Sequence, residues 1–205
     1  MPAACLRLIE TEGIAAVSLR RVAREAGVSS GAPYHHFTDR AALLAALSTE
    51  GFRLLAADLT TAGNTAPTPV AALTAMGAAY VQFAIHRPGY FRLMFRPELS
   101  QPDKHPDTRV AGEAAFGVLT DAVADCVAAG DLAADRAETV AVTEWALGHD
   151  IAALWLDGQL DKRSAMFGTS ATELVDSVLG TITGPLSAPR RPDGWACPNH
   201  RHGAC

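Results

Sequence analysis

The stretch from Ser18 to Arg40 gathers the side chains of this chain best suited to hold a polyanion. Arg20, Arg21, Arg24 and Arg40 stand there against Glu25 and Asp39, a local balance of +2 in a chain whose formal net charge is −5. Hydroxyl and imidazole donors are interleaved with them: Ser18, Ser29, Ser30, Tyr34, His35 and His36. Contacts of this kind divide into two tasks, phosphate contacts that give affinity and base-edge contacts that give sequence choice. At the exposed positions of a short helix, Ser30 can donate or accept, Ala32 and Pro33 can meet a thymine methyl, and His35 can donate to guanine acceptors. Arg20 and Arg24 fall one helical turn apart, with Arg20 in reach of a sugar-phosphate backbone. Phe37 reads as core.

The local signals say how these groups are positioned. Ser18 is an N-cap, with an oxygen able to accept from an orphan backbone N–H. Leu19, Val22, Ala23 and Ala26 follow at helical spacing and form a buried face. Gly27 sits where a chain leaving a helix needs a left-handed residue. Ser29 or Ser30 can cap a second helix, and Pro33 is tolerated in its first turn. Two short helices around a tight turn make a helix-turn-helix, whose second helix enters the DNA major groove. Thr38 is the expected cap of the next helix, and both it and Ser18 offer the anion-attracting start of a helix.

Ser18, Val22, Ala23, Ala26-Gly27-Val28-Ser29, Gly31, Tyr34, His36-Phe37, Arg40 and Leu43 resemble the N-terminal signature of the TetR/AcrR transcriptional regulators. The resemblance implies an all-α protein, with a DNA-binding domain over residues 1–48 and a C-terminal ligand-binding and dimerisation domain over 49–184. It places Ser18, Tyr34, His36 and Arg40 on phosphates, and it implies a homodimer on a near-palindromic operator, usually as a repressor answering a small-molecule effector. Tyr80 to Ala84, Pro88 to Phe95, Trp145-x-x-x-His149 and Leu156-Asp157-Gly158 resemble the C-terminal domain of the subgroup named for a Trp-His-Gly motif. Asp150 follows the histidine where that subgroup has glycine, and the glycine here is Gly148. The start is also short, since relatives carry another basic turn before their first helix.

Tyr80, Phe83, Tyr90, Phe91 and Met94, with Phe95, Phe116, Trp145, His149 and Trp155, are candidates to line an effector cavity, because such sites are mostly apolar with a few polar anchors. The same residues would equally serve as ordinary bundle core. His149, with Glu144 or Asp150 nearby, is either a polar anchor or a satisfied core histidine.

Bulk properties fit this plan. The chain has 205 residues, 49% of them apolar and 19% charged, enough to build a sizeable core in one or two domains. Alanine is abundant, which favours helix. The expected helices are residues 3–12, 19–26, 30–37, 39–61, 69–86, 90–95, 107–129, a start at Asp135/Glu138 running to about 156, and 170–183, nine in all. Loops are expected at 62–69 and 96–106, and Pro185 onward reads as disordered. No basic-then-apolar leader is evident, and no apolar run approaches the ~18 residues that span a bilayer. Cysteines at 5, 126, 197 and 205 have no framework spacing, so a cytoplasmic protein with free thiols is expected.

Other classes find less support. No G-x-S-x-G, phosphate loop or H-E-x-x-H is present, and adjacent His149 and Asp150 point about 100° apart on a helix, so no enzyme and no cofactor are expected. A metal-responsive regulator is the alternative suggested by Cys197, His200, His202 and Cys205, four soft ligands near the C-terminus. A helical dimer that has lost DNA binding is the other.

Overall fold

The computed structural model describes residues 1–187, which form an all-helical protein with no strand among them. The first bundle begins with α1 (Pro2–Glu12), which buries Ala4, Cys5, Leu8 and Ile9. Helix α2 (Leu19–Glu25) is capped as its sequence requires: Ser18 Oγ accepts from the Arg21 N–H at 3.2 Å. It ends in a Schellman turn at Gly27 (φ +67°), where Val28 N donates to Ala23 O and Gly27 N to Arg24 O.

The next segment departs from expectation. In place of a helix over 30–37 there is a single 3-10 turn, Ala32–His35, and neither Ser29 nor Ser30 caps it. Gly31 and Pro33 are poor helix formers, and the turn closes through i to i+3 bonds such as His36 N to Pro33 O at 3.0 Å. The long helix α3 (Arg40–Thr65) is capped by Asp39, whose Oδ1 accepts from Ala42 N at 2.8 Å, not by Thr38. It runs past the expected end at Thr61 and absorbs most of the expected loop, leaving only 66–68. Packing overrides propensity there: the flexible end of Met76 fills the space beside Gly63, with its Cε 2.4 Å from where a Cβ would stand. At 1.5 Å per residue α3 is about 39 Å long, and the expected domain cut at residue 48 falls inside it.

The second bundle starts with α4 (Pro69–His86), where Thr68 Oγ1 accepts from Ala71 N. The expected break at 87–89 shrinks to Arg87, because Pro88 opens α5 (Pro88–Met94) in its first turn. Part of the expected loop after it is α6 (Pro97–Ser100). Helix α7 (Pro106–Ala128) follows. The Asp135/Glu138 capping box does not form; a 3-10 turn, Ala134–Arg136, leads into α8 (Ala137–Leu156) without a side-chain cap. Helix α9 (Gln159–Phe167) lies outside the expected set. With α6 also gained and the expected 30–37 helix lost, the described residues hold ten α-helices against nine expected. A capping box does open α10 (Ala171–Ser187): Glu173 N donates to Ser170 Oγ, and Ser170 N donates to Glu173 Oε2 at 2.8 Å. Ser170 N and Oγ, with Thr169 Oγ1, donate to the Glu173 carboxylate and hold it down to about 2.

Two apolar cores result. The first joins Leu8, Ile9, Val22, Leu43 and Leu44, and into it reaches the buried Leu93 of α5, with Tyr90 and Leu99 packed at its edge. The second joins Leu55, Leu73, Phe83, Val123 and Leu132 with Phe91 and Met94, also of α5. A third cluster, with Val81, Ile151, Val175 and Leu179, holds α10 against α4 and α8. Cys5 and Cys126 are free buried thiols, each pushed up to about 11 by burial. No helix among the described residues is long and apolar enough to cross a membrane.

Candidate nucleic-acid interface and effector cavity

The helix-turn-helix presents one polar face. Ser18, Arg20, Arg24, Ser29, Ser30, Tyr34, His35 and His36 are all exposed. Tyr34 is 53% exposed despite its aromatic ring, and Val28 beside the turn is exposed as well.

Two expected contact residues are placed otherwise. Pro33 is fully buried, so its ring packs under the turn and is turned away from any thymine methyl. Arg40 does not extend as a free cation. Its Nε donates to Val17 O and its Nη2 to Ile14 O, both at 2.8 Å. The guanidinium fork thus ties the start of α3 to the 3-10 turn Ile14–Ala16 ahead of α2. Its role is to position Ser18 and α2 relative to α3. Ala32 is half-buried at the foot of the same turn as Pro33. Because a lysine cannot reach both carbonyls with one rigid fork, Arg40→Lys is expected to behave like Arg40→Ala. Each should lose about 2 kcal/mol of stability, read as a lower denaturant midpoint.

The second bundle holds a partly open cavity of about 400 Å³ between α3, α4, α7 and α8, with the exposed Trp145 at its edge. Of the expected lining residues, Tyr80, Phe95, Phe116 and Trp145 face it. Phe83, Tyr90, Phe91, Met94, His149 and Trp155 do not, although Met94 lines a neighbouring cavity. Phe83 is core, Tyr90 and Met94 pack over Gly51 of α3, and His149 is enclosed by rings, its centroid 4.6 Å from Phe95 and 5.1 Å from Phe91. His149 Nδ1 lies 3.0 Å from the Tyr80 hydroxyl. Burial holds the imidazole below its ordinary value, against the pull of Asp150, and burial pushes the Tyr80 phenol up. The pair is therefore a hydrogen-bonded unit whose Tyr80 member lines the cavity, and burial disfavours the charged form of each.

Sequence reasoning missed the aliphatic and acidic parts of the lining: Leu55, Leu59, Leu73, Met76, Leu119 and, above all, Glu144. Glu144 is only 5% exposed, its Oε1 has no hydrogen-bond partner among the described residues, and burial pushes its carboxyl up to about 7. Helical spacing alone put Glu144 beside Trp145 without saying which of the two faced inward. A second, adjoining cavity of about 310 Å³ shares Phe52, Phe95, Gly112 and Glu113 with the first. Phe52 and Phe95 meet edge to face with centroids 5.4 Å apart.

No group of three or more His, Cys, Asp or Glu among the described residues is placed to hold a metal ion. The Cys197, His200, His202 and Cys205 set, and the expected disordered tail from Pro185, lie outside the described residues or at their margin.

Comparison with known proteins completes the description. Residues 3–47 match the family model of bacterial regulatory proteins of the tetR family, and residues 73–181 match that of the tetracyclin repressor-like C-terminal domain. No curated protein matches significantly. Among solved structures, a protein described as of unknown function from Rhodococcus sp. RHA1 is 34% identical, with 91% of this chain and 93% of that chain covered and a TM-score of 0.78. A regulatory protein in the tetR family from Rhodococcus RHA1 is 20% identical, covering 92% and 96%, at 0.73. The TetR family regulator PfmR from Thermus thermophilus is 19% identical, covering 89% and 96%, at 0.68; these last two show the fold. With a capped helix-turn-helix at one end, a helical effector-type bundle at the other and both halves matched, the chain belongs to the TetR family of bacterial transcriptional regulators.

Proposed function

We propose that this regulator is a ligand-responsive repressor that binds a near-palindromic operator as a homodimer in the cytoplasm. The observation that carries the reading is α5, which places Leu93 in the core beneath the helix-turn-helix and Phe91 and Met94 in the core beside the cavity. In this reading Ser18, Tyr34 and His36 hold phosphates, with Arg20 and Ser29 at the edge of the contact, and Ser30, Ala32 and His35 meet base edges. Half-site centres then lie roughly 34–36 Å apart or at a multiple of that spacing. The resemblance to the Trp-His-Gly subgroup belongs to the same proposal. Its support is that Gly148 faces Tyr80 at 3.6 Å from a would-be Cβ, so the displaced glycine still lets α8 approach α4. Dimerisation through the last helices is supported by exposed apolar side chains there: Val142 and Leu154 on α8, Met166 and Phe167 on α9.

An effector changes operator affinity only by preferring one of two arrangements. Filling the cavity presses on Phe95 at the end of α5, and α5 then shifts the start of α3 and the recognition turn with it. Selection of sites from a random duplex pool tests the DNA half of the reading. The expected result is a near-palindrome, bound with an affinity that drops steeply between low and moderate salt. A Tyr34→Ala/His36→Ala variant should bind it at least about tenfold less tightly at an unchanged melting temperature, because both side chains are exposed. A pool without enrichment would overturn the proposal in favour of a helical dimer that no longer reads DNA.

A further inference from the structure

The cavity lining has an asymmetry of charge. Two of its residues are ionisable acids, Glu113 and Glu144, and none is a lysine or arginine. Glu113 is exposed and already engaged, its Oε1 accepting from Arg109 Nη1 at 2.7 Å, and Arg109 faces the neighbouring cavity. Glu144 is different in each respect. It is buried, it faces the cavity, and its Oε1 has no hydrogen-bond partner among the described residues. A buried polar atom without a partner is a cost the fold normally avoids. Nothing in the packing of α8 requires it, because helix positions facing an apolar cavity accept leucine or alanine.

The surroundings of Glu144 supply a second, independent sign. Trp145 and Phe116 meet edge to face at 5.8 Å in the same wall, and Tyr80, Phe95 and Phe52 continue the aromatic lining. Ring faces attract cations and repel anions through their quadrupole. A buried carboxylate with an unpartnered Oε1, set in a wall of aromatic rings, is therefore an arrangement for a positive charge carried on an apolar body.

We propose that the effector of this regulator is a lipophilic cation, a small molecule bearing one ammonium group that the Glu144 carboxylate anchors against the Trp145 and Phe116 rings while its apolar part fills the space toward Leu55, Leu59 and Leu73. The inference deepens the effector-cavity reading above and rests on it. The chemistry also states what is rejected: a carboxylate or phosphate of the same shape meets a buried acid and no compensating base.

The test is calorimetric titration of the full-length protein at pH 8 with three probes of one chain length, decyltrimethylammonium, decanol and decanoate, all below micelle formation. The expected order is cation tightest, alcohol at least about tenfold weaker, and carboxylate weakest. Glu144→Gln should weaken the cation by at least about tenfold and leave decanol within about twofold, which also shows that the variant is folded with its cavity intact. Glu144→Leu should do the same with decanol bound more tightly. Binding of decanol without preference for the cation, or an unchanged preference in both variants, overturns the anchor while leaving the cavity as an effector site. Decanoate binding as tightly as the cation overturns the charge assignment. Failure of all three probes to bind overturns both, and it is separate from the DNA half of the reading, which the duplex selection decides.

Discussion

Replacing Glu144 by glutamine is expected to make the effector-free protein more stable at pH 8 and to leave it nearly unchanged at pH 4.5. The carboxyl holds its proton up to about pH 7 in the folded chain, against an ordinary 4.5 when unfolded. Between those values the folded state binds more protons than the unfolded one, so stability falls as pH rises through the window. Above it, the buried charge costs about 3 kcal/mol relative to the protonated form. Glutamine keeps the shape and never ionises. Its amide regains part of that cost, a rise of at least about 5 °C in Tm at pH 8 for a chain of this size. Groups facing Glu144 do not cancel the effect. The Cys126 thiol, which feels the Glu144 charge, is raised to about 11 and stays neutral throughout. Thermal melts of the two proteins from pH 4.5 to 8.5 decide it. A difference independent of pH would show that Glu144 reaches water in solution.

The second large effect is expected at the joint between the two bundles. Leu93→Ala removes a side chain with no exposed surface from the first core, at a cost of about 2–5 kcal/mol. Stability alone would not separate this residue from any other core leucine. Leu179→Ala is the control: it is 2% exposed, lies in the outer cluster and should cost a similar amount. At a temperature where both variants remain folded, only Leu93→Ala should reduce the effect of a saturating cation on operator affinity. Coupling between such sites typically amounts to about 1–3 kcal/mol, so its loss would turn a clear release into little or none. Equal loss in the two variants would move the transmission route away from α5.

The elements that local chemistry dictates were legible in the sequence. Ser18 with Gly27 set the bounds of α2, because caps and left-handed residues act over a few positions, although the caps expected at Thr38 and at Asp135 with Glu138 did not form. What tertiary packing decides was not legible. Nothing local tells that α3 continues through Gly63 because Met76 lies against it, or that Arg40 folds back onto Ile14 and Val17 rather than outward. The family signature predicts a phosphate contact at Arg40, and two backbone carbonyls ahead of α2 claim it first. The candidate cavity was half visible for the same reason. Aromatic residues announce themselves, whereas the aliphatic lining and the inward rotation of Glu144 depend on how α8 packs across α4 and α7.

Phe52 and Phe95, the edge-to-face pair shared by the two neighbouring cavities, give the lineage a simple way to change its chemistry. An edge-to-face contact is worth only about 0.5–1.5 kcal/mol beyond its area, so a single replacement of either ring by a smaller residue would join two chambers into one. The helices, the buried acid and the joint to the DNA-reading turn would stay as they are. On the reading proposed above, the merged chamber would admit a longer molecule with the rest of the fold unchanged.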